Sequence, residues 1–141
     1  MRKTLSTVLA LALLFVLTGS LSGQAVLRVA CIGDSITAGS GADDRSTQSY
    51  PAVMGVLLGD NYEVKNFGIG GRTLLKNGDR PYWNEAFFQA SQEYEPDIVI
   101  VKLGTNDSKP QNWDRYGVEF EGNLRELLTI YRDLPSRPKV Y

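Results

Sequence analysis

A chain of 141 residues, 43% hydrophobic and 22% charged, has the length and composition of one globular domain, which excludes disordered and fibrous architectures. Its 15 basic and 16 acidic residues leave a formal net charge of −1, so nothing electrostatic calls for nucleic acid or an anionic membrane surface as partner. A small, neutral ligand is the simpler expectation.

The N-terminal segment reads as a secretory signal: Arg2 and Lys3, an uncharged apolar core from Val8 to Leu17, then small residues ending at Gly23-Gln24-Ala25. The core falls short of the roughly twenty residues that span a bilayer, which favours a cleaved signal over an anchor. The expected organisation is therefore a signal peptide at 1–25 and one domain at 26–141, secreted or periplasmic, with no stable membrane insertion after cleavage. The mature domain would carry 13 basic against 16 acidic residues. Cys31 is the only cysteine, so no intramolecular disulfide can form, and its apolar surroundings predict a buried thiol.

From there apolar runs alternate with helical patterns, which predicts βαβ units and a parallel sheet. Val26 to Ile32 reads as the first strand. Ser49 is placed to cap a helix with Pro51 in its first turn and Gly59 as its stop. Tyr62 to Phe67 alternates polar and apolar residues, the pattern of an edge strand. A second helix is expected over Asn84 to Tyr94. Pro96 then opens a strand over Asp97 to Leu103, whose β-branched residues at 98–101 suit burial on both faces. Tyr116, Phe120, Leu124, Leu127 and Tyr131 form one helical apolar stripe, with Asn123 and Arg125 off it. After Pro135 and Pro138, Lys139-Val140-Tyr141 reads as the start of a fourth strand, an expectation that the sequence is cut short of its fold.

Three glycine-bearing loops follow three of these strands: Gly33-Asp34-Ser35-Ile36-Thr37-Ala38-Gly39, Asn66-Phe67-Gly68-Ile69-Gly70-Gly71 and Gly104-Thr105-Asn106-Asp107. The carboxyl ends of parallel strands share one edge, so the loops should converge on one crevice. A dinucleotide loop at 68–71 is disfavoured, since position 73 is threonine where that fingerprint needs glycine or alanine. The Asn106-Asp107-Ser108 glycosylation match conflicts with a buried site role and reads as accidental.

With these three ordered blocks the chain resembles the SGNH, or GDSL, hydrolases. The resemblance implies a three-layer α/β/α sandwich with a flavodoxin-like parallel sheet, incomplete at the C-terminus, and a serine ester hydrolase without metal or organic cofactor. It implies Ser35 as nucleophile, with the backbone amides of Ser35 and Gly71 and the side-chain amide of Asn106 as the oxyanion hole. The chemistry agrees, because a tetrahedral intermediate puts negative charge on the former carbonyl oxygen and fixed neutral donors stabilise it. On the residues alone, Ser35 could be only a helix cap, while Asp34 and Asp107 could shape their loops rather than react.

Asp79-Arg80-Pro81-Tyr82-Trp83 and Lys109-Pro110-Gln111-Asn112-Trp113 are expected on loops beside the crevice. Their aromatic faces suit a sugar, or Trp83 and Trp113 simply cover the sheet ends. The combination resembles the carbohydrate-esterase, sialate O-acetylesterase-like branch, and implies a glycan or small-molecule ester as substrate. The departure is the base. The chain has no histidine, and the family's Asp-x-x-His block is missing. A serine hydroxyl is a weak nucleophile without a proton acceptor, so the chain alone is expected to be inactive. Rival expectations are a glycan-binding form without catalysis and a lipid-directed esterase. The sequence specifies no oligomeric state.

Overall fold

The computed structural model describes residues 25–141, so the expected signal segment lies outside the described residues, apart from Ala25 at its boundary. The sheet is built from β1 (Leu27–Gly33), β2 (Tyr62–Gly68), β3 (Ile98–Lys102) and β4 (Lys139–Val140). All pairings are parallel and the order is β2-β1-β3-β4, the doubly wound arrangement of a flavodoxin-like sheet. β2 lies at one edge, as its alternation predicts. The short fourth strand pairs through Lys139 and Val140, and Tyr141 extends the ladder by exchanging backbone hydrogen bonds with Val99 and Val101.

The register explains the layers. Ala30 lies opposite Val99, and Ile32 opposite both Phe67 and Val101, so these residues share one sheet face. That face is covered by α4 (Ala86–Glu93) and α6 (Phe120–Arg132), the latter packing Leu127 and Tyr131 into the core. Phe88 of α4 meets Tyr82 and Tyr131 edge-to-face, with centroids 6.2 Å apart in both pairs. The buried tyrosine hydroxyls of this layer are satisfied: Tyr82 donates to the Phe67 carbonyl at 2.8 Å, and Tyr131 shares a 2.7 Å bond with Ser91.

The opposite face carries Val29, Cys31, Val64, Ile98 and Ile100 and receives α1 (Ser35–Ala38) and α3 (Tyr50–Leu58); between these helices lies the short α2 (Arg45–Gln48). α3 sits over β2, where Gly55 approaches Val64 closely. Ile98 and Ile100 are only half-buried, against the expectation that β3 is sealed on both faces, because α3 covers the far side of the sheet. Ser49 heads α3 as expected, but its side chain makes no cap hydrogen bond to the helix. The expected helix over 84–94 divides into a 3-10 turn at Tyr82–Asn84 and α4 itself. None of the described helices is long and apolar enough to cross a membrane.

Candidate active site

The chain leaves β1 through Asp34, which is fully buried and acts as the N-cap of α1: one carboxylate oxygen accepts from the Ile36 amide at 2.9 Å. Ser35 is therefore not the cap but the first helical residue. Helix starts leave backbone N–H groups without partners. The Ser35 N–H and hydroxyl have no hydrogen-bond partner among the described residues, and Ser35 is half-buried. The second Asp34 carboxylate oxygen is buried with no partner among the described residues.

α1 is held by Thr37, which is fully buried in a slot between Gly33 and Gly68. A Cβ on either glycine would collide with Thr37, so both positions need the bare backbone. The Thr37 hydroxyl shares a 3.1 Å hydrogen bond with Tyr50, and its carbonyl accepts from Asn66 Nδ2 at 2.7 Å. Burial pushes the Tyr50 phenol up to about 12 and the Cys31 thiol beneath it up to about 11, partly offset at Cys31 by the Tyr50 hydroxyl. Cys31 is thus the inert, buried thiol expected.

The loop after β2 returns to the Gly33–Ser35 turn. Ile69 donates its N–H to the Gly33 carbonyl at 3.0 Å, and a Cβ on Gly70 would lie 3.9 Å from the Ser35 Cβ. Gly71 has φ +80°, a left-handed conformation costly for any other residue, and its N–H has no acceptor among the described residues. Arg72 stiffens this turn by pairing with Glu85 at 2.6 Å and donating to the Gly70 carbonyl at 2.8 Å.

The loop after β3 is tied to the same turn. Asn106 is buried and donates from Nδ2 to the Arg72 carbonyl at 2.9 Å. A primary amide has two N–H donors, so one remains for a ligand. The acceptor Asn106 of the Asn-Asp-Ser triplet is thus buried, although Ser108 is exposed, in line with an accidental glycosylation match. Asp107, also buried, accepts from the Leu74 and Leu75 amides at 3.0 and 2.6 Å, the loop-holding role left open by the sequence. Asn112 donates to the Asn106 carbonyl at 2.9 Å and to Asp79 at 3.1 Å, locking the outer loop onto this frame.

Ser35, Gly71 and Asn106 are thereby brought to one edge of the sheet. The flanking segments differ from expectation. Residues 110–116 form a helix, α5 (Pro110–Tyr116), because Pro110 supplies a helix start rather than a loop. Trp83 is structural: its indole donates to the Leu74 carbonyl at 2.5 Å and packs on Phe88 with centroids 5.3 Å apart. Trp113 is 47% exposed on α5, its ring tilted against Phe120 with centroids 5.7 Å apart. Of two concavities, one of about 470 Å³ lies beside Arg45 and Asn66 and reaches Ala38 and Gly68 at this edge, and the other, of about 530 Å³, lies beside Arg28 and Tyr94. The candidate site itself is an open shelf.

Residues 31–141 match the model of the GDSL-like lipase/acylhydrolase family. The chain belongs to this family. An acetylxylan esterase of Xylanibacter ruminicola is 49% identical over 112 residues. That match covers 79% of this chain and 23% of the relative's length. A solved carbohydrate acetylesterase family member from Sinorhizobium meliloti is 26% identical with a TM-score of 0.60, covering 82% of this chain and 61% of that one. The native aryl esterase of M. smegmatis shares the fold at 24% identity and TM-score 0.59, over 82% of this chain and 62% of the other. This GDSL chain therefore spans about three fifths of the solved chains it matches and 23% of the curated relative.

Proposed function

We propose that this chain carries the nucleophile and oxyanion half of a serine ester hydrolase that removes acetyl groups from an exported glycan. The observation that carries the proposal is the convergence of Ser35 with two backbone N–H groups, its own and that of Gly71, that have no acceptor among the described residues. Ser35 and Gly71 are half-buried, so an ester carbonyl oxygen can reach these donors and take the place of water on them.

In the reaction Ser35 Oγ attacks the ester carbonyl carbon as its proton passes to a base. The carbonyl oxygen becomes an anion, received by the Ser35 and Gly71 amides and the spare Asn106 N–H. Collapse expels the alcohol, which takes the proton, and water then releases the acid from Ser35. No histidine is among the 141 residues to serve as that base. The acetylxylan esterase relative supports an acetylated glycan as substrate, and an enzyme acting on such a polymer works outside the cell, in keeping with the N-terminal signal pattern. The missing base favours one second reading, a module that holds the glycan without cleaving it.

Chemical rescue separates the two. On an O-acetylated xylo-oligosaccharide the 141-residue chain should release acetate at background rate, since a positioned base is worth about a hundred-fold to ten-thousand-fold. Added imidazole should raise the rate in wild type and not in Ser35→Ala. Binding without any Ser35-dependent release would favour the binding module; equal rescue in Ser35→Ala would remove Ser35 as nucleophile.

A further inference from the structure

The guanidinium of Arg80 stands beside the proposed oxyanion donor and has no acidic partner. A Cβ on Gly71 would lie 3.6 Å from Arg80 Nη1 and 3.7 Å from its Cδ, so the arginine stem runs over the bare face of that glycine. Among the described residues Arg80 forms no ion pair, and its side chain donates no hydrogen bond. The adjacent carboxylates are engaged elsewhere: Asp79 with Asn112 and Glu85 with Arg72. Arg72 is committed to Glu85 and the Gly70 carbonyl, which leaves Arg80 as the guanidinium with donors to spare at this turn.

Its backbone is fixed on both sides. The Arg80 carbonyl accepts from Thr73 at 2.9 Å, Pro81 bridges Thr73, and the Asp79 amide donates to Asn112 at 2.9 Å. An exposed arginine on a pinned backbone loses less freedom on binding than one on a loose loop. A planar fork of donors is matched by a carboxylate, which it can engage through two parallel hydrogen bonds.

We propose that Arg80 is a specificity residue that receives a carboxylate borne by the glycan, so that the preferred substrate is an acetylated oligosaccharide carrying a uronic acid near the ester. This rests on the glycan ester reading above. An ester whose carbonyl oxygen meets the Gly71 amide brings a neighbouring sugar substituent over the same glycine, within reach of the guanidinium. The trait is local, since the chain as a whole is slightly acidic and would not attract such a substrate by net charge.

The test is binding to the full 141-residue chain, followed by calorimetry and amide chemical shifts. The probes are an O-acetylated xylo-oligosaccharide bearing glucuronic acid and the same compound with its carboxyl reduced to the alcohol. The acidic probe should bind about ten-fold more tightly, the ratio for one charge-assisted pair at a partly exposed site. That ratio should fall to about one in Arg80→Gln, shrink at high salt and partly survive in Arg80→Lys. Equal affinity for the two probes in wild type, with binding intact, overturns the role of Arg80 and leaves the glycan reading standing. A preference that persists in Arg80→Gln assigns the carboxylate elsewhere and also overturns it. Failure of both probes to bind overturns this inference together with the glycan reading.

Discussion

Asn106 and Asp107 are adjacent in sequence, yet they perform different work, and substitution separates them. Asn106 spends one N–H on the Arg72 carbonyl, and with the other as the proposed oxyanion donor, Asn106→Ala under imidazole rescue should raise the barrier to acetate release by roughly 3 kcal/mol, while binding changes less. Asp107→Ala should leave the Leu74 and Leu75 amides buried without acceptors and cost about 2–4 kcal/mol of stability, read from urea denaturation. Beneath them, Cys31 and Tyr50 make the fold sensitive to alkali. Burial raises the Cys31 thiol from its usual 9.0 to about 11 and the Tyr50 phenol from 10.0 to about 12. For an acid with a raised folded pKa, the stabilisation is fully present below the unfolded value and disappears as pH rises through the folded one. Stability should therefore begin to fall near pH 9 and continue falling through 12, as the buried Tyr82 and Tyr131 phenols, raised further still, add to the loss, and Tyr50→Phe should lessen the fall above pH 10 without abolishing it. Urea midpoints that stay flat across this window would contradict it.

At the scale of elements, α3 and α6 obey different rules. α6 is amphipathic, with Leu127 and Tyr131 fully buried and Arg125 turned outward to pair with Glu121 at 2.6 Å. α3 is apolar all round, and its Val56 and Leu57 are each 81% exposed. Leu127→Ala should cost about 2–5 kcal/mol by opening a core cavity, whereas Leu57→Glu should change stability by less than about 0.5 kcal/mol. Urea midpoints of the two variants check the contrast. The stripe in the sequence names α6 from Phe120 to Tyr131, but its first member, Tyr116, belongs to α5 beyond a 3-10 turn at Gly117–Glu119; for α3 the sequence cannot say which side is covered, since no stripe marks it. The same limit applies to β3, whose four β-branched residues predict a strand but not that Ile98 and Ile100 are left half-covered.

For the whole molecule, an apolar helix face at the surface and a half-covered sheet face beside it predict self-association, because contiguous exposed apolar surface is rarely left bare in solution. Sedimentation velocity should show concentration-dependent species in wild type that Val56→Glu with Leu57→Glu disperses; a strict monomer at all concentrations would count against this. The sequence by itself determined the strand-loop-helix order, the parallel sheet and the three loop blocks, because side-chain periodicity and glycine chemistry are local properties. It also determined the absence of histidine, which no fold can supply. Tertiary structure alone decided that Thr37 is gripped between Gly33 and Gly68, that one Asn106 proton is spent on Arg72, and that Arg80 lies over Gly71. Thr37 meets Gly68, and Asn106 meets Arg72, only because β1, β2 and β3 close along one edge, whereas Arg80 is brought back over Gly71 within a single loop by the pairing of Thr73 with residues 80 and 81.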